Sequence, residues 1–199
     1  MGQRTQILIV KNKKDGTRSV NLYHLQWGFG RLMYLALMDL FISDYCKDTW
    51  PKDYSYDKDV FPKSVAALNR ENNRYELPAE VVQNLNLNDI QTVKDVFEYG
   101  DNNNGGLVIE MTEPDKNYQN SEFKIAFLLG SEDTEGEYDG KVYNKGNDKE
   151  AFTRYLTPAE YGRMNGGSDY SDERFVKMFQ DFCDYFEIEC VGSAEHPTF

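Results

Sequence analysis

His24 and Gln26 stand two positions apart in the alternating run SVNLYHLQW, which puts both on one face of a strand just ahead of a glycine hinge, Gly28-Phe29-Gly30-Arg31. Glycine tolerates positive φ and close backbone approach, so the hinge permits a tight turn from strand to helix. The helix expected next, LMYLALMDLFISDYC, opens with unpaired N–H groups at its positive dipole end, and Arg31 lies beside them. Together with Arg4 on the preceding apolar run, the set Arg4, His24, Gln26, Gly28, Gly30 and Arg31 has the chemistry to bind an anion, a phosphate or a nucleotide. GFGR lacks the third glycine of the dinucleotide fingerprint and the Lys-Ser/Thr pair of a P-loop. A turn that packs the helix on its own strand accounts for the same glycines.

A second set is acidic. Residues 131–150, SEDTEGEYDGKVYNKGNDKE, hold seven acids and three glycines with almost no aliphatic side chains. Glu132, Asp133, Glu135, Glu137 and Asp139 match neither the spacing of an EF-hand nor that of a catalytic carboxylate pair. Such a run is ordinarily a solvated loop or flap. It is also how a protein surface imitates nucleic-acid phosphates, which makes these five carboxylates the candidate partner-binding residues.

Other chemistry finds little support. DNNNGG at 101–106 begins like a calcium loop, but its twelfth position is Thr112, where a bidentate Glu is required. With only His24 and His196, no HExxH and no CxxC, zinc ligands are not paired, and no metal or cofactor is expected. The cysteines Cys46, Cys183 and Cys190 each lie in or beside an apolar segment, the setting of inert reduced thiols rather than nucleophiles. An N-terminal nucleophile hydrolase is rejected because removal of Met1 leaves Gly2. No catalytic residue is expected.

The elements that position these residues read as a hairpin, TQILIV and SVNLYHLQW, joined across a lysine-rich turn with Asp15-Gly16. The long apolar helix follows, then an irregular connection over 47–76. Two short helices are expected after it: one started by Pro78, and one capped at Asn88, with Ile90, Val93 and Phe97 on one face and Gly100 as its stop. GLVIEMTE and EFKIAFLLG form a second antiparallel pair, with Phe123, Ile125, Phe127 and Leu129 on an apolar face. Beyond an acidic loop at 131–150, Thr157-Pro158-Ala159-Glu160 starts a short helix. Ser171 starts a longer amphipathic one, with Phe175, Met178, Phe179, Phe182, Cys183 and Phe186 as its stripe. The expected fold is one α+β domain over residues 1–199: an antiparallel sheet from two hairpins, a buried central helix and a C-terminal amphipathic helix.

Charge narrows the function. The chain has 34 acidic and 22 basic residues, a net charge of −12, which disfavours direct nucleic-acid binding because phosphate contacts need a basic surface. The distribution is uneven: residues 1–31 hold six basic groups and one acid, whereas residues 131–199 hold sixteen acids and seven basic groups. The longest apolar run is too short to span a bilayer, and the start resembles neither a secretory signal nor, with Gln6 at the sixth position, a myristoylation site. A cytoplasmic protein without membrane contact is expected.

MGQRTQILIV followed by YHLQWGFGRLMYLALMD resembles the opening of a group of small proteins from Gram-positive bacteria, their phages and mobile elements. The likeness covers the first quarter of the chain and brings no assigned activity with it. It implies a mobile-element context, in which compact acidic proteins serve as inhibitors of host defence, anti-CRISPR proteins among them. The expected function is therefore a non-enzymatic protein that occupies a basic surface of a host macromolecule, such as a defence nuclease. The alternatives are a phosphate-ligand or nucleotide-binding protein, or an enzyme, built on the glycine hinge, and a phage assembly protein.

Overall fold

Alternate side chains of the first two apolar runs find an apolar layer on each side of one sheet, which is why both become strands. β1 (Thr5–Asn12) pairs antiparallel with β2 (Arg18–Leu25), from Thr5↔Leu25 to Asn12↔Arg18. In the turn, Asp15 Oδ1 accepts from Thr17 N at 2.9 Å and from Thr17 Oγ1 at 2.6 Å. The computed structural model describes residues 5–25, 33–34, 37–38, 41, 74–100, 105–113, 122–129, 135–138, 141–144, 149–164 and 173–199.

The remaining strands are β3 (Arg74–Tyr75), β4 (Gly106–Thr112), β5 (Phe123–Leu128), β6 (Glu135–Tyr138), β7 (Lys141–Asn144) and β8 (Ile188–Cys190). Six of them make one sheet in the order β3-β2-β1-β4-β5-β8, and β6 and β7 pair separately. The sheet is mixed, which corrects the antiparallel expectation: β1 runs parallel to β4, from Gln6↔Gly106 to Asn12↔Thr112, and β5 runs parallel to β8. Both expected hairpins form, but they are joined side by side through their first strands. Two hairpins with separate apolar faces gain a common core this way, and β2 returns the chain so that β4 can start at the same end of the sheet as β1. The two shortest strands, β3 and β8, close the edges, where brief exposed backbone limits unwanted pairing.

Central placement explains the composition of β1. Ile7 on one face and Leu8 and Val10 on the other are at most 1% exposed, so TQILIV reads as a continuous apolar run rather than an alternating one. One face carries Ile7, Leu107, Ile109, Met111, Ile125 and Phe127 beneath the buried helical residues Met33, Tyr34, Leu37, Met38 and Phe41. The spacing of those five places them along one side of a helix, which bears out a buried helix following the first hairpin. α3 (Pro158–Met164) and α4 (Glu173–Tyr185) complete that layer through Tyr161, Phe179, Phe182 and Cys183; their labels follow α1 (Ala79–Asn84) and α2 (Ile90–Phe97). Aromatic rings lock the layer together. Tyr34 stacks on Phe179 at 4.7 Å, Phe127 stacks on Tyr161 at 4.6 Å, and the Tyr34 and Phe127 rings meet edge-on at 5.6 Å. The Tyr34 hydroxyl donates to the Pro158 carbonyl at the start of α3.

On the opposite face, Leu8, Val10, Leu22, Val108, Ala126 and Leu128 pack against Val93 and Val96 of α2, and against Leu85, Leu87, Tyr155 and Val191. Asp89 rather than Asn88 caps α2, accepting from Gln91 N at 3.1 Å. Pro78 is the residue before α1 rather than its first member. α1 has no basic residue in its last turn, and Arg18 supplies one from β2: its Nη2 donates to Val82 O at 2.6 Å and to Gln83 O at 3.4 Å. One cation of the basic hairpin is therefore structural.

The cap of α3 forms as its sequence requires. Glu160 N donates to Thr157 Oγ1 at 3.3 Å, while Glu160 Oε2 accepts from Thr157 N at 2.9 Å. Arg154 forks onto the same carboxylate at 2.8 and 3.1 Å. The Arg154 hydrogen bonds first, then those from Thr157, hold the Glu160 carboxyl down to about 2 against the opposing effect of burial. A carboxylate with a depressed pKa stabilises the fold above its unfolded value of 4.5, and that contribution is lost as pH falls toward about 2. Glu160→Gln is expected to cost about 1–2 kcal/mol in urea unfolding at pH 7, with the gap from wild type closing near pH 2. A gap independent of pH would contradict this role.

Candidate functional site

Two groups of residues carry polar chemistry that the core does not require: buried Gln6 opposite half-buried His24 at one end of β1, and the acidic stretch. Of the hinge set, His24 is described, whereas Arg4, Gln26, Gly28, Gly30 and Arg31 lie outside the described residues. His24 occupies β2 directly opposite Gln6 of β1, and Gln6 in turn faces Gly106 of β4. The His24 ring stands edge-on to Tyr75 of β3, with centroids 6.4 Å apart.

Gln6 is the residue that the sequence reading missed. It is fully buried, on the sheet face that carries Leu8 and Val10, and neither Nε2 nor Oε1 of its amide has a hydrogen-bond partner among the described residues. A buried amide group left without a partner costs about 1–3 kcal/mol, so a wholly apolar face would exclude it. Gly100 makes room for it: a Cβ there would stand 1.6 Å from Gln6 Nε2, whereas the space at Gly106 is taken by Phe97, whose ring tip would lie 2.5 Å from an added Cβ. Gly100 ends the α2 region as expected, but its lack of a side chain also serves the Gln6 amide. The only sequence signal was a polar residue inside an apolar run, easily taken for the solvent side of an alternating strand.

Tyr155 shows the alternative solution for a polar group on this face. Its hydroxyl donates to Leu87 O at 2.7 Å, and burial, with the nearby charges of Glu110 and Asp89, pushes its ionisation well above the ordinary phenol range. Tyr155 is thus a neutral structural staple, whereas Gln6 and His24 present donors and acceptors side by side.

The acidic stretch is organised further than a loop. Within it, β6 and β7 form an antiparallel ribbon from Glu135↔Asn144 to Tyr138↔Lys141, outside the six-stranded sheet. Strand alternation places positions 135 and 137 on the same face of that ribbon. Lys149–Phe152 then forms a turn of 3-10 helix that leads into the core through Ala151 and Phe152. Residues Glu132, Asp133 and Asp139 lie outside the described residues. On α4, Glu173 and Asp184 are exposed, and Lys177 pairs with Asp181 at 2.7 Å.

Among the described residues, no three His, Cys, Asp or Glu side chains are grouped to hold a metal ion, and no helix is long and apolar enough to cross a membrane. The chain matches no family model, no curated protein and no solved structure. Gly100→Ala is expected to destabilise the fold by about 1–3 kcal/mol through overpacking, and to cost much less in a Gln6→Ala background, where the amide is gone. Equal costs in the two backgrounds, read from urea unfolding, would separate Gly100 from Gln6.

Proposed function

We propose that the chain is a non-enzymatic binding protein that occupies a basic, nucleic-acid-handling surface on a host macromolecule, in the manner of an inhibitor of a defence nuclease. The observation that supports this reading is the ribbon of β6 and β7: the most acidic stretch of a chain with net charge −12 is built as a hairpin outside the main sheet, with Glu135 and Glu137 on one face. Carboxylates held on a backbone scaffold at strand spacing present a regular negative surface that a channel built for phosphates would attract. Glu132, Asp133 and Asp139 flank the ribbon in sequence and extend the charge.

The test is affinity capture from a Gram-positive host lysate at low and high salt, followed by titration of the captured protein. A partner with a basic surface should be released by salt. Its affinity should fall on the order of tenfold or more when Glu132, Asp133, Glu135, Glu137 and Asp139 are changed to their amides. Capture that is indifferent to both salt and the five substitutions would rule out the electrostatic mode of binding.

A second reading is supported by the buried Gln6 amide opposite His24, two residues after Arg4 in sequence, with Gln26 and Arg31 soon after His24. In this reading the hinge is a site for a phosphate ligand or a nucleotide. Thermal stabilisation by a nucleotide, lost in Arg31→Ala, would favour this reading over the first.

A further inference from the structure

Cys183 and Cys190 belong to different elements yet share one side of the sheet. β8 runs parallel to β5 with Phe123↔Ile188, Lys124↔Glu189 and Ile125↔Cys190 in register. Phe123 and Ile125 belong to the apolar layer beneath α4, so the two-residue period of a strand directs Cys190 into that layer and Glu189 to the other side. There Glu189 lies 3.8 Å from Lys124 Nζ and 3.2 Å from His196 Nδ1. α4 lays Cys183 onto the same layer from above.

The connection between them is tight. α4 ends at Tyr185, and Glu187 takes a left-handed φ of 53°, which reverses the chain so that β8 returns under the last turn of the helix. Both are free thiols packed in the same apolar layer, with Cys183 fully buried and Cys190 partly open to solvent.

We propose that Cys183 and Cys190 form an oxidisable dithiol, a modification site that takes a hydroperoxide and closes to a disulfide clamping the edge strand β8 to α4. Exposure assigns the roles. Cys190, the less buried of the two, attacks one oxygen of hydrogen peroxide as its thiolate: an S–O bond forms, the O–O bond breaks, and the departing hydroxide takes a proton to become water. The Cys183 sulfur then attacks the sulfenic sulfur of Cys190. An S–S bond forms, the S–O bond breaks, and the hydroxide released leaves as water with the Cys183 proton. Two thiols lose two electrons and two protons, and one peroxide is reduced to two waters. The hydrogen bond with Cys190, and then burial, push the Cys183 thiol well above its ordinary range, which suits a resolving thiol that stays protonated until Cys190 is oxidised.

The experiment treats the full chain with hydrogen peroxide, alkylates the remaining thiols and maps the peptides by mass spectrometry. A monomer lighter by about 2 Da, with Cys183 joined to Cys190 and the link reversed by dithiothreitol, is the expected product. Cys46→Ser should leave that product unchanged, and Cys190→Ser should abolish it. In Cys183→Ser, dimedone should trap the sulfenic acid at Cys190. Where that variant does not fold, the map of the unsubstituted chain decides the matter. A disulfide through Cys46, dimers linked between chains, or sulfinate at Cys190 with Cys183 still a thiol would each overturn the proposal.

Discussion

The parallel pairing of β1 with β4 is the constraint on which the rest of the structure depends. Each hairpin alone has an apolar face and marginal stability, as isolated two-stranded ribbons do. Joined through β1 and β4, they make a sheet wide enough to carry one helical layer on each side. β2 already returns the chain to the end of the sheet where β1 and β4 both begin, so the parallel pair needs no crossover of its own. Between β2 and β4, α1 and α2 cover one face, and the buried helical residues Met33, Tyr34, Leu37, Met38 and Phe41 cover the other.

The same pairing creates the polar pair. Placing β1 between β2 and β4 seals Gln6 between His24 and Gly106, and α2 brings Gly100 over its amide. The energetic cost of burying that amide falls on a sheet that the aromatic layer on the far side stabilises, where burying each large side chain contributes about 1.5–3 kcal/mol. The acidic ribbon lies outside this economy. β6 and β7 pair with each other rather than with the main sheet, so their sequence is free to carry charge at positions where a core strand would need apolar residues.

Much of the fold was legible, and the exceptions have physical reasons. Periodicity found both hairpins, the apolar character of the residues after the glycine hinge, and the stripe of α4, since each reports burial directly. The Thr157–Glu160 cap was legible because capping chemistry is local. Strand order was not. Alternation says which face of a strand is buried, but nothing about whether its neighbour runs parallel, and the near-continuous apolar run of β1 was the one available sign of a central, doubly covered strand. β3 and β8, with two and three residues, are too short to show a period. The acidic stretch at 131–150 was read as a loop because Glu and Gly are poor strand formers; the β6–β7 hairpin forms there nonetheless. For the candidate site, His24 was legible as a polar residue on an alternating strand. Gln6 was not, because the room for its amide comes from Gly100, distant in sequence.

Native-state hydrogen exchange on the backbone amides of β1 and β4 tests the account most directly. If the parallel seam unites the two hairpins, the amides of residues 7–10 and 107–109 exchange through a single opening with the free energy of global unfolding. Exchange of the β1–β2 hairpin at a lower free energy than β4 and β5, as a unit of its own, would contradict the seam and with it the central place of β1.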